Sequence, residues 1–407
     1  LPGFLSLFKY ARILQQAGES MIQTQRLVIA FLVFASITAG TSIAKTGADK
    51  SINQIMSQIG LIMEQLFPVM LDEKKFEQAA TKQHIQQKVE KLDDLFSKAR
   101  PHFDIKSPTY RISFDVIKTQ LSDVDTALKY KNYNYARNIL KEFVSICTSC
   151  HTQDEKTRTL FTGISEKHFE NDLQFAEFNY MTRNYDTAVK YYDQYLKKTD
   201  DISETELLTV MKRILTIYTQ VENDPKAALD HLAKLKNYPH HTKFTKNSLN
   251  QWIEGLKDLE KQKVSKVVSP DMKQLQMYVD KILGPLTEPG SAEFPSKKEK
   301  VARVWLRGRL YHYLNSKPSK ADIPRILYWL AIIDRTIDYS FYYSLSDLYL
   351  KECMLQYTSN PYAKKCYREY EEYITFSYSG SRGTDIPEDI QKELKALKVR
   401  VYSAPPN

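Results

Sequence analysis

The sequence predicts an all-α fold, and three observations carry that expectation. Apolar residues recur at three- and four-residue steps through most of the chain, the spacing that gathers them on one face of an α-helix. Glycine (12) and proline (16) are sparse in 407 residues, too few turn formers for a strand-dense architecture. Tyrosine is abundant (27), with many copies at helical spacing, as on helix-packing surfaces. A chain of this length accommodates two or three domains, and the pattern divides it into segments 1–44, 45–160, 161–263 and 264–407. The net charge of +9 is spread along the chain, which suits an acidic partner or an anionic membrane surface. No basic-aromatic module points to nucleic acid.

Segment 1–44 reads as a targeting region. Met21 to Arg26 carries one positive charge, Leu27 to Ile37 is an 11-residue apolar run, and Ser42-Ile43-Ala44 offers small residues at the positions a signal peptidase reads. The run is short for a membrane span, which needs about 20 residues. The alternative is an uncleaved N-terminal anchor; either way the rest is expected outside the cytoplasm, in the periplasm. Leu1 to Ser20 precede a plausible start at Met21 and read as an over-long start.

Segment 45–160 shows four amphipathic stretches. Ser51 to Leu71 carries Ile52, Ile55, Met56, Ile59, Met63, Leu66 and Met70. Phe76 to Ala99 carries Ile85, Val89, Leu92 and Phe96, and Pro101 stops it. A third helix opens at Ser107-Pro108 with Phe114, Ile117, Leu121, Val124 and Leu128. After a break at Lys131 to Asn134, a fourth carries Ala136, Ile139, Leu140, Phe143 and Cys147. Four such helices with short connections predict an antiparallel four-helix bundle.

In segment 161–263, Asn184-Tyr185-Asp186-Thr187-Ala188 and Asn223-Asp224-Pro225-Lys226-Ala227-Ala228 each lead into an apolar helix, some 39 residues apart. They resemble the second helix of a tetratricopeptide repeat, whose usual period is about 34, and are read as degenerate helical hairpins. In segment 264–407, loops at Lys261–Pro270 and Gly284–Pro295 precede helices over Lys297–Leu314, Ile323–Ile337, Tyr339–Tyr357, Tyr362–Thr375 and Pro387–Val399. Cys353 and Cys366 flank the turn at Ser359-Asn360-Pro361 at nearly equal distances. Equal distance brings side chains of antiparallel helices opposite one another, so a structural disulfide is expected.

The remaining cysteines stand in Cys147-Thr148-Ser149-Cys150-His151. Covalent haem attachment needs two thiols within reach of both vinyl groups of one porphyrin, and an imidazole one residue on for the iron; C-x-x-C-H meets both needs. A thioredoxin-like pair would open a helix after a strand, whereas this motif ends one. A zinc site lacks a second Cys or His pair at finger spacing, and a plain disulfide is awkward within one helical turn.

An exported bundle of this size with the motif near the end of its fourth helix resembles cytochrome c′ and its relatives, over Lys45 to about Leu160. The resemblance implies one covalent haem c with His151 as proximal iron ligand. It also places the distal position on the first helix at Met56, with Met63 as substitute. Members often carry a basic residue four positions past the histidine, where this chain has Glu155; Lys156 and Arg158 come slightly later. The other histidines (His84, His102, His168, His231, His240, His241, His312) are assigned surface or capping roles.

The expected function is a periplasmic single-electron carrier whose later helical segments dock a redox partner protein. A homodimer is compatible with the family. The alternatives are a sensor of nitric oxide or carbon monoxide and a scaffold with a structural haem. A catalyst is not expected, since no distal His-Arg pair or other catalytic constellation stands out.

Overall fold

The apolar stripes become helices in the computed structural model, which describes residues 46–102, 108–151, 164–199, 201–261, 271–286, 288–316, 318–337, 344–381 and 383–404. At 46–51, 79–82, 108–111, 145 and 147–151 only the backbone is described. Among the described residues, sixteen helices and one small ribbon (Ser379–Gly380 paired with Gly383–Thr384) make the fold all-α.

Helix α1 (Thr46–Leu71) buries Ile59, Ile62, Met63, Leu66, Phe67 and Met70 along one stripe. The chain then departs from the expected single second helix. The Asp72 carboxylate accepts the Lys75 amide at 3.0 Å and caps a short α2 (Glu73–Glu77). Gln78 turns extended, donating its N–H to the Lys75 carbonyl, before α3 (Ala79–Ala99) begins. After α4 (Pro108–Lys129), Lys131 takes a left-handed conformation (φ +60°), and α5 (Tyr133–His151) starts inside the expected break. The short reversal is closed by the Asn132 amide on the Ala127 carbonyl at 2.8 Å. Helices α3 and α4 pack together, as do α4 and α5, and α2 lies against both α3 and α5.

Helices α6 (Asp172–Met181) and α7 (Tyr185–Lys198) form a hairpin through Arg183 (φ +60°). Helix α8 (Glu204–Thr216) opens with a reciprocal Ser203–Glu206 cap and widens into a π turn at Ile217–Val221. Helices α9 (Pro225–Lys234) and α10 (Lys243–Lys261) pack as the next pair. Helix α11 (Met272–Leu283) was not anticipated between the two loops. Its core stripe is only Leu275, Val279 and Leu283, and the Asp271–Gln274 capping box fixes its start.

Helix α12 (Lys297–Asn315) is buried almost all round, between α10, α11, α13 (Ile323–Thr336) and the π turn. Helix α14 spans Ser346–Gln356, with the Leu345 amide before it donating to the Asp334 carboxylate at 2.9 Å; the expected start at Tyr339 lies outside the described residues. It pairs with α15 (Pro361–Ser377), and α16 (Glu388–Tyr402) covers both. Cys353 and Cys366 form a disulfide across the α14–α15 hairpin, with Cα atoms 6.3 Å apart and both residues fully buried.

Residues Gly47–Asn407 form one compact unit, and the buried apolar side chains of successive segments are contiguous. Buried ion pairs tie helices together, among them Arg307–Asp334 at 2.7 Å and Arg213–Glu177 at 3.1 Å. Among the described residues no helix is long and apolar enough to cross a membrane. Segment 1–44, with Leu27–Ile37, lies outside the described residues.

Candidate functional site

The Cys147–His151 motif forms the last turn of α5 in the backbone; its side chains lie outside the described residues, as do Glu155, Lys156 and Arg158. What surrounds that turn can be built from the neighbouring helices. The Phe96 ring, near the end of α3, meets Phe143 of α5 edge-on at 5.6 Å and Phe114 of α4 at 6.3 Å. Arg100, at the end of α3, pairs with Asp115 near the start of α4 at 3.3 Å. Phe143 precedes Cys147 by one turn. The motif therefore runs off α5 at the level where α3 ends and α4 begins.

Helix α1 runs antiparallel to α3. Gln65 accepts a hydrogen bond from Lys88, while Gln54, Ile55 and Gln58 share a groove with Leu95, Lys98 and His102. The first half of α1 thus reaches the same level as the last turn of α5. Met56 is half-buried and packs against the core there. Met63 is 1% exposed and lies seven residues, or about 10 Å, deeper along the helix. Of the two methionines, only Met56 stands at the level of the α3 terminus.

His102 was assigned a surface or capping role; it is exposed and lines that groove on α1. Reading by sequence spacing gave no reason to pair it with Gln54 and Gln58, because half a bundle of chain separates them. Other histidines are held by hydrogen bonds, His168 and His241 within their own turns and His231 across to α7. His241 bonds the Leu235 carbonyl at 2.7 Å and Thr245 at 3.1 Å, His168 bonds Ser165, and His231 meets Asp193 at 3.0 Å. No group of three His, Cys, Asp or Glu side chains at metal-binding distance occurs among the described residues.

The electrostatics upstream of the motif were not legible in sequence. Burial pushes the Glu142 carboxyl of α5 up to about 7, against the pull of Arg213. Burial also brings the neighbouring Lys141 down to about 8, with Arg137 adding to the effect. Across the interface, Glu177 is pushed up by burial, but Arg213, which bonds it through Nε and Nη2 at 3.1 Å, brings it below its ordinary value. Arg213 in turn lies 4.4 Å from the Tyr180 ring. Lys141 and Glu142 of the motif-bearing helix thus lie near enough to Arg213 of α8 to feel its charge.

The donor set around this end suits a haem. It comprises two thiols and an imidazole in C-x-x-C-H order, a thioether on the core side of α1, and apolar Ile55 and Leu95 beside polar Lys98 and His102. No family model, curated protein or solved structure matches this chain.

Proposed function

We propose that this protein is an exported, periplasmic monohaem c-type cytochrome that transfers single electrons, built as a cytochrome c′-like four-helix haem bundle followed by helical-hairpin segments. The observation that carries the reading is the C-x-x-C-H motif at the end of a helix in an all-α chain, with a thioether from α1 at the same level. Bound haem supplies a one-electron iron couple. Cys147 and Cys150 would hold the porphyrin as thioethers, and His151 would hold the iron. Met56 would hold the sixth position; a thioether there favours the reduced state and suits a carrier. Helices α1, α3 and α4 would exclude water from the porphyrin faces, which limits reorganisation around the iron. The degenerate repeat-like hairpins and the segments after Lys263 would dock the redox partner. The N-terminal segment would direct export or, if uncleaved, anchor the protein.

The test is a pyridine haemochrome assay on protein matured in a host that attaches haem c. One haem per chain is expected, and none in a Cys147→Ala/Cys150→Ala variant; colourless wild-type protein would end the reading. Carbon monoxide then separates carrier from gas sensor. Reduced wild-type protein should keep its spectrum under the gas, whereas Met56→Ala should bind it. Gas binding by the wild type would favour the sensor.

A further inference from the structure

Among the described residues, helix α11 leaves one stripe without a packing partner. Its core face is Leu275, Val279 and Leu283, while Met272, Lys273, Met277, Asp280 and Lys281 line an open groove floored on the far side by Arg325 of α13. Met277 is 57% exposed, a large apolar side chain left in water between two lysines. Arg325 is half-buried; its guanidinium carbon lies 5.3 Å from the Tyr362 ring and 5.9 Å from the Trp329 ring. Its Nε is buried without a hydrogen-bond partner. The two rings hold the guanidinium in place, so it loses little freedom on meeting a carboxylate. Lys365, outside the groove lining, also lies over the Tyr362 ring at 5.0 Å. The one acid, Asp280, is occupied by the Gln276 side-chain amide at 2.7 Å.

The geometry points to this groove as a docking site for an acidic amphipathic helix of a partner protein. Charge complementarity selects the occupant. Three cations (Lys273, Lys281 and Arg325) line the groove against one carboxylate, on a chain of net charge +9. Lys273 and Lys281 are eight residues apart on one helix, about 12 Å. A partner helix lying along α11 would therefore present carboxylates about two turns apart, with an apolar side chain between them to cover Met277. A third carboxylate on its flank would reach Arg325 as a two-bond fork. The inference deepens the carrier reading by assigning where its partner sits, yet the groove contains none of the haem-site residues.

The experiment uses the full chain and two synthetic helical peptides of identical composition. One places glutamates two turns apart on the face of a leucine stripe, and the other scrambles that spacing. Calorimetry should show the patterned peptide binding at least tenfold tighter than the scrambled one. Carbodiimide cross-links should fall on Lys273, Lys281 or Lys365. The Arg325→Gln/Lys281→Gln variant, checked for an unchanged melting temperature, should lose at least tenfold in affinity. A Lys226→Gln/Lys261→Gln variant, with the same charge change elsewhere, should not. If Arg325→Gln/Lys281→Gln unfolds, Met277→Asp replaces it with the same expectation. Equal affinity for both peptides, equal losses in the two double variants, cross-links spread over the surface, or tighter binding to phosphatidylglycerol vesicles than to the patterned peptide would each overturn the proposal. Because the haemochrome assay reads haem alone and the calorimetry reads peptide alone, failure of the haem reading and failure of the docking site give different results.

Discussion

At the scale of single residues, side-chain type and spacing told most where chemistry needs a local pattern. C-x-x-C-H is legible because its members are neighbours in the chain. Glu142 is the opposite case, since only packing reveals that its carboxyl is half-buried near Arg213 of α8. Its ordinary value is 4.5 and its folded value about 7, so the folded chain holds a proton that the unfolded chain releases. Between these values stability therefore falls as pH rises, and above about 7 the full cost remains. Glu142→Gln should stabilise the protein by up to about 2 kcal/mol at pH 8 and hardly at all at pH 4, as measured by urea unfolding. A variant that is equally stabilised at both pH values would show that burial does not perturb this carboxyl.

At the scale of elements, helices with long stripes were read nearly to their ends, and those with short stripes were not. Helix α11 has only three core positions, little more than two turns of pattern, and fell between two loops. Helix α12 carries core residues on all sides, so its amphipathic signal is weak although its burial is complete. That burial rests on Gly308. A Cβ there would stand inside contact distance of the Gln220 carbonyl in the π turn, while Trp305 of the same helix bonds Asn223 just beyond it. Gly308→Ala should cost about 2–3 kcal/mol, because backbone rather than a flexible side chain must move. A thermal melt checks this, and an unchanged midpoint would mean that the two backbones are not in contact. The α14–α15 hairpin gives a second check. A bridge spanning 13 residues removes about 3 kcal/mol of unfolded-chain entropy. Cys353→Ala/Cys366→Ala should lower stability by roughly that amount in denaturant titrations. Reductant should not affect the native protein, whose bridge is fully buried.

At the scale of the whole molecule, the segments are not independent beads. Trp252, Ile253, Leu256 and Leu259 of α10 are buried, and α12 is the helix that packs most closely on that face. Truncation after Lys261 would uncover this stripe and the π turn. The truncated chain should melt at lower temperature and bind a hydrophobic dye that the full chain ignores. A fragment as stable and dye-silent as the full chain would instead make the first half a separate folding unit. The same contiguity explains why boundaries near 160 and 263, read from composition and loops, say little about how the core is shared.

By itself the sequence determined the all-helical class, the order of most helices and the residues of the C-x-x-C-H motif. Each of these depends on periodicity or on neighbours along the chain. Tertiary structure alone decided that Met56 rather than Met63 stands level with the end of α3, that His102 shares a groove with α1, that Glu142 lies near Arg213, and that Arg325 lies beside the open face of α11. Those relations join residues tens to hundreds of positions apart. No local pattern encodes them, because they arise only when helices of unequal length pack and the desolvation of each group is set by its neighbours from other elements.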